Sequence, residues 1–146
     1  MNNMSNFSET LTELMIERNL TTDALGKIIG TSGSTVRTWK RGDYKLRLAN
    51  ALKLADYFNC SLEFLMGRTD TRLNYTPRVC PRFHDRLMQI MVKKGKSRYQ
   101  VVKKDKILSN SHFSQWKKGV NPLIETIMPL TKYFDCTLDY LVGRDN

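Results

Sequence analysis

The sequence predicts an all-α chain of two tandem five-helix units joined by an extended linker. Apolar residues recur at helical rather than alternating spacing, the chain repeats itself at an offset of 76 to 77 residues, and a seam without helical pattern separates the copies. "YFNCSLEFLMGR" (57–68) returns as "YFDCTLDYLVGR" (133–144), and "FSETLTELMIERN" (7–19) aligns with "FHDRLMQIMVKKG" (83–95), both at an offset of 76. Between them the offset is 77, from Trp39 to Trp116 and from Gly42 to Gly119. The second copy therefore gained one residue before its Trp segment and lost one after it. A unit of roughly 60 to 65 residues lies near the lower size limit for folding alone.

In the first copy Phe7, Leu11, Leu14 and Arg18 step along one helix, with Glu9, Glu13 and Glu17 on its other side. Thr21 or Thr22 caps the second helix, whose apolar face is Leu25, Ile28 and Ile29, and Gly30 closes it with a left-handed residue. Ser32 or Gly33 opens the third, which Gly42 ends. A longer helix covers roughly Leu46 to Phe58, and a last one, opened by Ser61, covers Leu62 to Met66 before Gly67. On the third helix a step of 100° per residue turns Val36 and Trp39 inward, which pushes Ser34, Arg37, Thr38 and Arg41 outward. In the second copy Phe113 and Trp116 turn inward and leave Ser111, Ser114, Gln115 and Lys118 outside. The tryptophans read as anchors that hold a short polar helix on a small core.

The seam "RTDTRLNYTPRVCP" (68–81) sets the units at residues 1–68 and 82–146 with a linker over 69–81. The whole chain carries 24 basic against 14 acidic residues, a net +10 with a pI near 9.7, which suits a polyanionic partner. Residues 1–70 are near neutral, with 9 basic and 8 acidic residues, whereas residues 83–146 hold 12 and 6. The second unit is the more electropositive one. Its run Lys93, Lys94, Lys96, Arg98, Lys103, Lys104 and Lys106 reads as a surface for phosphates.

The segments "ALGKIIGTSGSTVRTWKRG" (24–42) and "ALKLADYFNCSLEFLMG" (51–67), with "SNSHFSQWKKG" (109–119) and "NPLIETIMPLTKYFDCTLDYLVGR" (121–144), resemble the phage-repressor and Cro-like (XRE-type) helix-turn-helix family. The resemblance implies two lambda-repressor-like DNA-binding domains and double-stranded DNA as the partner. It places base contacts at Gly33, Ser34, Arg37 and Thr38 and phosphate contacts near Thr22, Lys40 and Arg41. In the second unit it places bases at Asn110, Ser111, Ser114 and Gln115, with Arg98, Lys117 and Lys118 on phosphates. Residue chemistry agrees in type, since Asn and Gln pair with adenine, Arg with guanine, and Ser or Thr with either.

Four departures modify that expectation. Gly33 has no side chain to read with, which leaves the first unit leaning on Arg37 and Thr38. Gly26 stands where the family usually has alanine and is expected to weaken its helix by about 1 kcal/mol. Lys106-Ile107 stands in place of a single turn glycine, so a longer turn is expected there. Pro129 falls inside the fourth helix and is expected to kink it at a cost of about 3 kcal/mol.

Other function classes find little support. There is no apolar run of about 18 residues for a membrane span. MNNMSNFSET shows no secretory pattern, and three cysteines make no disulfide framework, so a reduced cytoplasm is expected. Cys60 and Cys136 read as small buried hydrophobes, and Cys80 as the exposed one. Neither a metal cluster nor a cofactor loop nor a catalytic constellation is visible, so neither an enzyme nor a cofactor is expected. The reading is a transcriptional regulator, in the first place a repressor. The alternative is an antirepressor or regulator-binding module with a degenerate DNA surface. The resemblance also admits a homodimer through the Leu62–Met66 or Leu138–Val142 helix, an end of the fold that the family often uses for pairing.

Overall fold

The computed structural model describes residues 3–42, 45–72 and 74–145; the side chains of residues 3–6 are not described. Leu73 of the expected linker, and Met1, Asn2 and Asn146 at the ends of the expected units, lie outside the described residues. The described residues are helices and connecting segments, without a β-strand. They group into two compact units, residues 1–77 and 78–146.

Unit 1 contains α1 (Asn3–Glu17), α2 (Thr22–Ile29), α3 (Gly33–Arg41), α4 (Leu48–Tyr57) and α5 (Leu62–Leu65). Its core is made by Phe7, Leu11, Leu14, Leu25, Val36, Trp39, Leu54, Phe58 and Leu65, all at most 1% exposed. Three hydroxyl residues start helices at the points where backbone N–H groups lack partners. Thr21 accepts from Ala24, Ser32 from Thr35 and Ser61 from Phe64, at 3.0 to 3.1 Å. The expected helix from Leu46 begins only at Leu48, after Arg47, and Leu46 is wholly buried ahead of it.

Unit 2 contains α6 (Phe83–Lys94), a π-helical segment (Gln100–Lys104), α7 (Asn110–Lys117), α8 (Ile124–Phe134) and α9 (Leu138–Val142). The expectation of five similar helices is thus corrected at one place, where unit 2 has a π segment at the positions in its sequence that match α2. A π turn carries one residue more per hydrogen-bonded loop than an α turn. The one residue that unit 2 has in excess lies after this segment, because Gly30 and Lys106 are 76 residues apart and the helix caps Ser32 and Ser109 are 77 apart, so the connection to α7 is the longer one. Lys106 takes the left-handed conformation at φ 53°, as Gly30 does at φ 88° in unit 1. Asp105, at the end of the π segment, accepts a 2.6 Å hydrogen bond from the Tyr133 hydroxyl of α8.

The ten described left-handed residues form five pairs: Asn19 and Gly95, Gly30 and Lys106, Gly42 and Gly119, Asn59 and Asp135, and Gly67 and Gly143. Each pair is 76 or 77 residues apart. The last turn repeats as well, with Arg68 3.2 Å from Glu63 and Arg144 2.9 Å from Asp139. In unit 2 that pair is buried and its oxygen and nitrogen are in hydrogen-bond contact.

Two of the departures take their physical meaning from packing. Helix α8 continues through Pro129, which lies on its exposed side. Gly26 is required by close approach: a Cβ there would lie 2.7 Å from the Ser32 carbonyl carbon and 2.9 Å from the Gly33 nitrogen. Those are backbone atoms that cannot step aside alone. Cys60 is buried, Cys136 is half-buried instead of buried, and Cys80 is half-buried.

Gly26→Ala is therefore expected to destabilise the protein by about 1–3 kcal/mol, despite alanine's better helix propensity, measured as a lowered urea midpoint. A second prediction concerns Tyr133, whose phenol is pushed from 10.0 up to about 12 by burial first, then by its bond to Asp105 and that carboxylate's charge. The folded state holds this proton more tightly than the unfolded chain. Its contribution is whole below about pH 10 and falls as pH rises towards about 12. Urea melts between those limits are expected to show a shallower alkaline loss for Tyr133→Phe than for the unmodified protein.

Candidate nucleic-acid interface

Helices α2 and α3 are joined by only Gly30, Thr31 and Ser32. The N–H groups of Gly30 and Thr31 both donate to the Gly26 carbonyl, at 2.9 and 2.7 Å, which ends α2 and turns the chain sharply. Ser32 then caps α3, and Gly42, at φ 82°, ends it. The rotation of α3 about its own axis is fixed by Val36 and Trp39, 0% and 1% exposed. Its C-terminal end is tied to α1, where the Ser8 hydroxyl donates to the Trp39 carbonyl.

This rotation leaves Ser34, Arg37, Lys40 and Arg41 exposed, with Gly33, Thr38 and Thr22 half-buried. Arg37 reaches back to α2, where Nη1 donates to Thr22 Oγ1 at 3.1 Å and lies 3.7 Å from Asp23 Oδ1. Thr22 thus touches a residue of the exposed stripe. The Thr38 hydroxyl donates to the Thr35 carbonyl at 2.6 Å, which leaves its oxygen only lone pairs to offer a further partner.

Unit 2 builds a comparable surface by other means. Phe113 and Trp116 are buried, and Phe83 meets the indole edge-on with centroids 5.1 Å apart. Ser109 accepts from the His112 N–H at 3.2 Å, and His112 Nδ1 accepts from the Ser109 N–H at 3.1 Å. This reciprocal cap leaves the neutral ring's hydrogen on Nε2. The ring stacks on Trp116, at 5.2 Å and 19°. At the other end of α7, Arg82 donates to the Lys117 carbonyl at 2.6 Å.

The exposed side of α7 carries Asn110, Ser111, Ser114, Gln115 and Lys117, with Lys118 just beyond its end. Gln115 donates to Ser111 Oγ at 3.3 Å. Arg98 stacks over the Phe113 ring at 4.7 Å and donates from Nε to Asn110 Oδ1 at 3.1 Å. The structure thereby brings together Arg98 and Asn110 in unit 2 and Thr22 and Arg37 in unit 1. Lys103 and Lys104 of the π segment, and Lys106 after it, are exposed.

Residues 10–70 match the Cro/C1-type HTH DNA-binding domain. The match lies within unit 1 and spans all of α2, α3, α4 and α5. No curated protein and no solved structure gives a match to the chain. The turn between α2 and α3, the capped α3 and its polar stripe lie within the matched residues.

Sequence reasoning passed over three participants. Asp23 stands in the first turn of α2, and a glycine at the start of α3 leaves space that something else must fill. His112 stands three residues after Ser109, and that spacing is the signal of a reciprocal cap. Arg82, the residue just after the linker, gave no signal, because its target is a backbone carbonyl. No helix is long and apolar enough to cross a membrane, and no group of three metal-ligating residues occurs among the described residues.

Ser109→Ala removes the acceptor for the His112 N–H and is expected to cost about 0.5–2 kcal/mol in urea unfolding. His112→Ala is expected to lose only part of that, since the Ser109 hydroxyl remains.

Proposed function

We propose that the protein is a sequence-specific regulator of transcription, acting as a repressor, that reads double-stranded DNA with both α3 and α7. The observation that carries this reading is the exposed stripe of Ser34, Arg37, Lys40 and Arg41 on a helix anchored by Trp39, inside a Cro/C1-type HTH DNA-binding domain. Ser34, Arg37 and Thr38 supply donors and acceptors for base edges, on the helix that Gly33 begins. Thr22, Lys40 and Arg41 lie to either side for phosphates. The second unit is proposed as a second copy of the domain, with the paired left-handed residues and the buried Phe113 and Trp116 in support. There Asn110, Ser111, Ser114 and Gln115 face bases, while Lys117 and Lys118 face phosphates. Arg98 does double duty, holding Asn110 and carrying charge towards the backbone.

One chain then supplies two recognition helices, a task that helix-turn-helix dimers divide between two chains reading grooves about 34 Å apart. The linker of residues 69–81, with its flanking residue, spans at most about 46–50 Å when extended, enough for that separation. The two faces carry different residues, so the preferred site is asymmetric. The net charge of +10 provides the sequence-independent part of the affinity.

Selection from random duplex DNA is the test. The expected result is a defined motif without twofold symmetry, bound with a salt slope equivalent to roughly six to ten phosphate contacts. Arg37→Ala is expected to cost about 1–3 kcal/mol and relax one base position, whereas Lys118→Ala weakens all sequences alike and lowers the salt slope by about one. Absence of any enriched motif would refute the reading.

A further inference from the structure

The first side-chain position of α3 is vacant in sequence but filled in space. A Cβ built on Gly33 would overlap Asp23 Oδ1 and lie 3.0 Å from Asp23 Cγ and 3.1 Å from its Cα. The carboxylate of α2's second residue thus occupies the volume that a side chain at position 33 would take. It is 83% exposed, and Arg37 Nη1 is 3.7 Å from its oxygen. An acceptor-only group and a donor-only group therefore stand side by side on one exposed face.

We propose that Asp23 is a specificity-determining residue of unit 1, reading DNA in place of the side chain that Gly33 lacks. The inference rests on the reading of α3 as a recognition helix. Arg37, steadied by Thr22 and Asp23, donates to guanine O6 and N7. The Asp23 carboxylate accepts from a cytosine N4 amino group in the same or the adjoining base pair. A base that presents only acceptors there leaves the carboxylate without a donor, so the wrong sequence is rejected as well as the right one favoured. The same charge repels phosphates, which lowers binding to unrelated DNA. Unit 2 has Tyr99 at the position matching Asp23 and Asn110 at the one matching Gly33, so it reads with its own helix. Near-neutral charge over residues 1–70 accords with a unit that discriminates more than it attracts.

The test compares site selections by the full chain, Asp23→Asn, Gly33→Ala and the double variant Gly33→Ala with Asp23→Ala. Asp23→Asn keeps the shape but supplies donors beside one acceptor. Its preference for cytosine next to the guanine read by Arg37 is expected to fall by about five- to 150-fold, the range of one good base contact. Its affinity for unrelated duplex is expected to rise. Gly33→Ala displaces the carboxylate and is expected to lose the same preference, with no further loss in the double variant. Thermal melts establish that each variant is folded, and Asp23→Asn decides the matter if Gly33→Ala is not. An unchanged motif in Asp23→Asn, from a chain that does select DNA, overturns the inference alone. A chain that selects no motif overturns the DNA-reading proposal and this inference with it.

Discussion

The rotation of a nine-residue helix about its own axis is the constraint on which the rest of unit 1 depends. Helix α3 has only Val36 and Trp39 to bury, and without them its remaining residues would favour water on every side. Two buried residues three positions apart define one line along the helix. That line decides that Arg37 and Ser34 face outward. The Ser8 hydroxyl on the Trp39 carbonyl pins the same helix at its end, where backbone carbonyls lack internal partners. Burying an indole of this size fixes orientation more firmly than smaller apolar groups would.

The second constraint is distance. Helix α2 approaches the start of α3 so closely that Gly26 has no room for a methyl group. This closeness brings Asp23 into the space above Gly33 and lets Arg37 reach Thr22. The two glycines are linked by one fact, a short turn between helices in near contact. Unit 2 meets the same demand with a π segment, an added residue and a reciprocal Ser109–His112 cap. Similar exposed faces therefore arise from two sets of local interactions, which is how the two surfaces differ in charge and in readable groups.

Much of the fold was legible because its signals are local. Capping hydroxyls at Thr21, Ser32 and Ser61, glycines at 30 and 42, and the spacing of Val36 and Trp39 each act within four residues. The repeat in "YFNCSLEFLMGR" and "YFDCTLDYLVGR" likewise marked corresponding helix ends, and Asn59 and Asp135 take up the same left-handed conformation. Other features were hidden for a physical reason. The extra residue before Trp116 was visible, but a sequence does not say whether a turn or a helix accommodates it. Gly26 read as a weakness because propensity concerns one helix, whereas its cause lies in the backbone of the next. Asp23 escaped notice because its partner position, Gly33, has no side chain to suggest a contact. Pro129 was legible as a proline inside a helix, and α8 continues through it with the ring on the exposed side.

On the proposed reading α3 and α7 enter the grooves of one duplex together. Methylation interference on the selected site tests this most directly, since it reports guanine N7 in the major groove at each position. The account predicts two interfering clusters of unequal sequence, centred about one helical turn apart, with Arg37→Ala erasing guanine interference in one cluster only. A single cluster, or two identical ones, would contradict it.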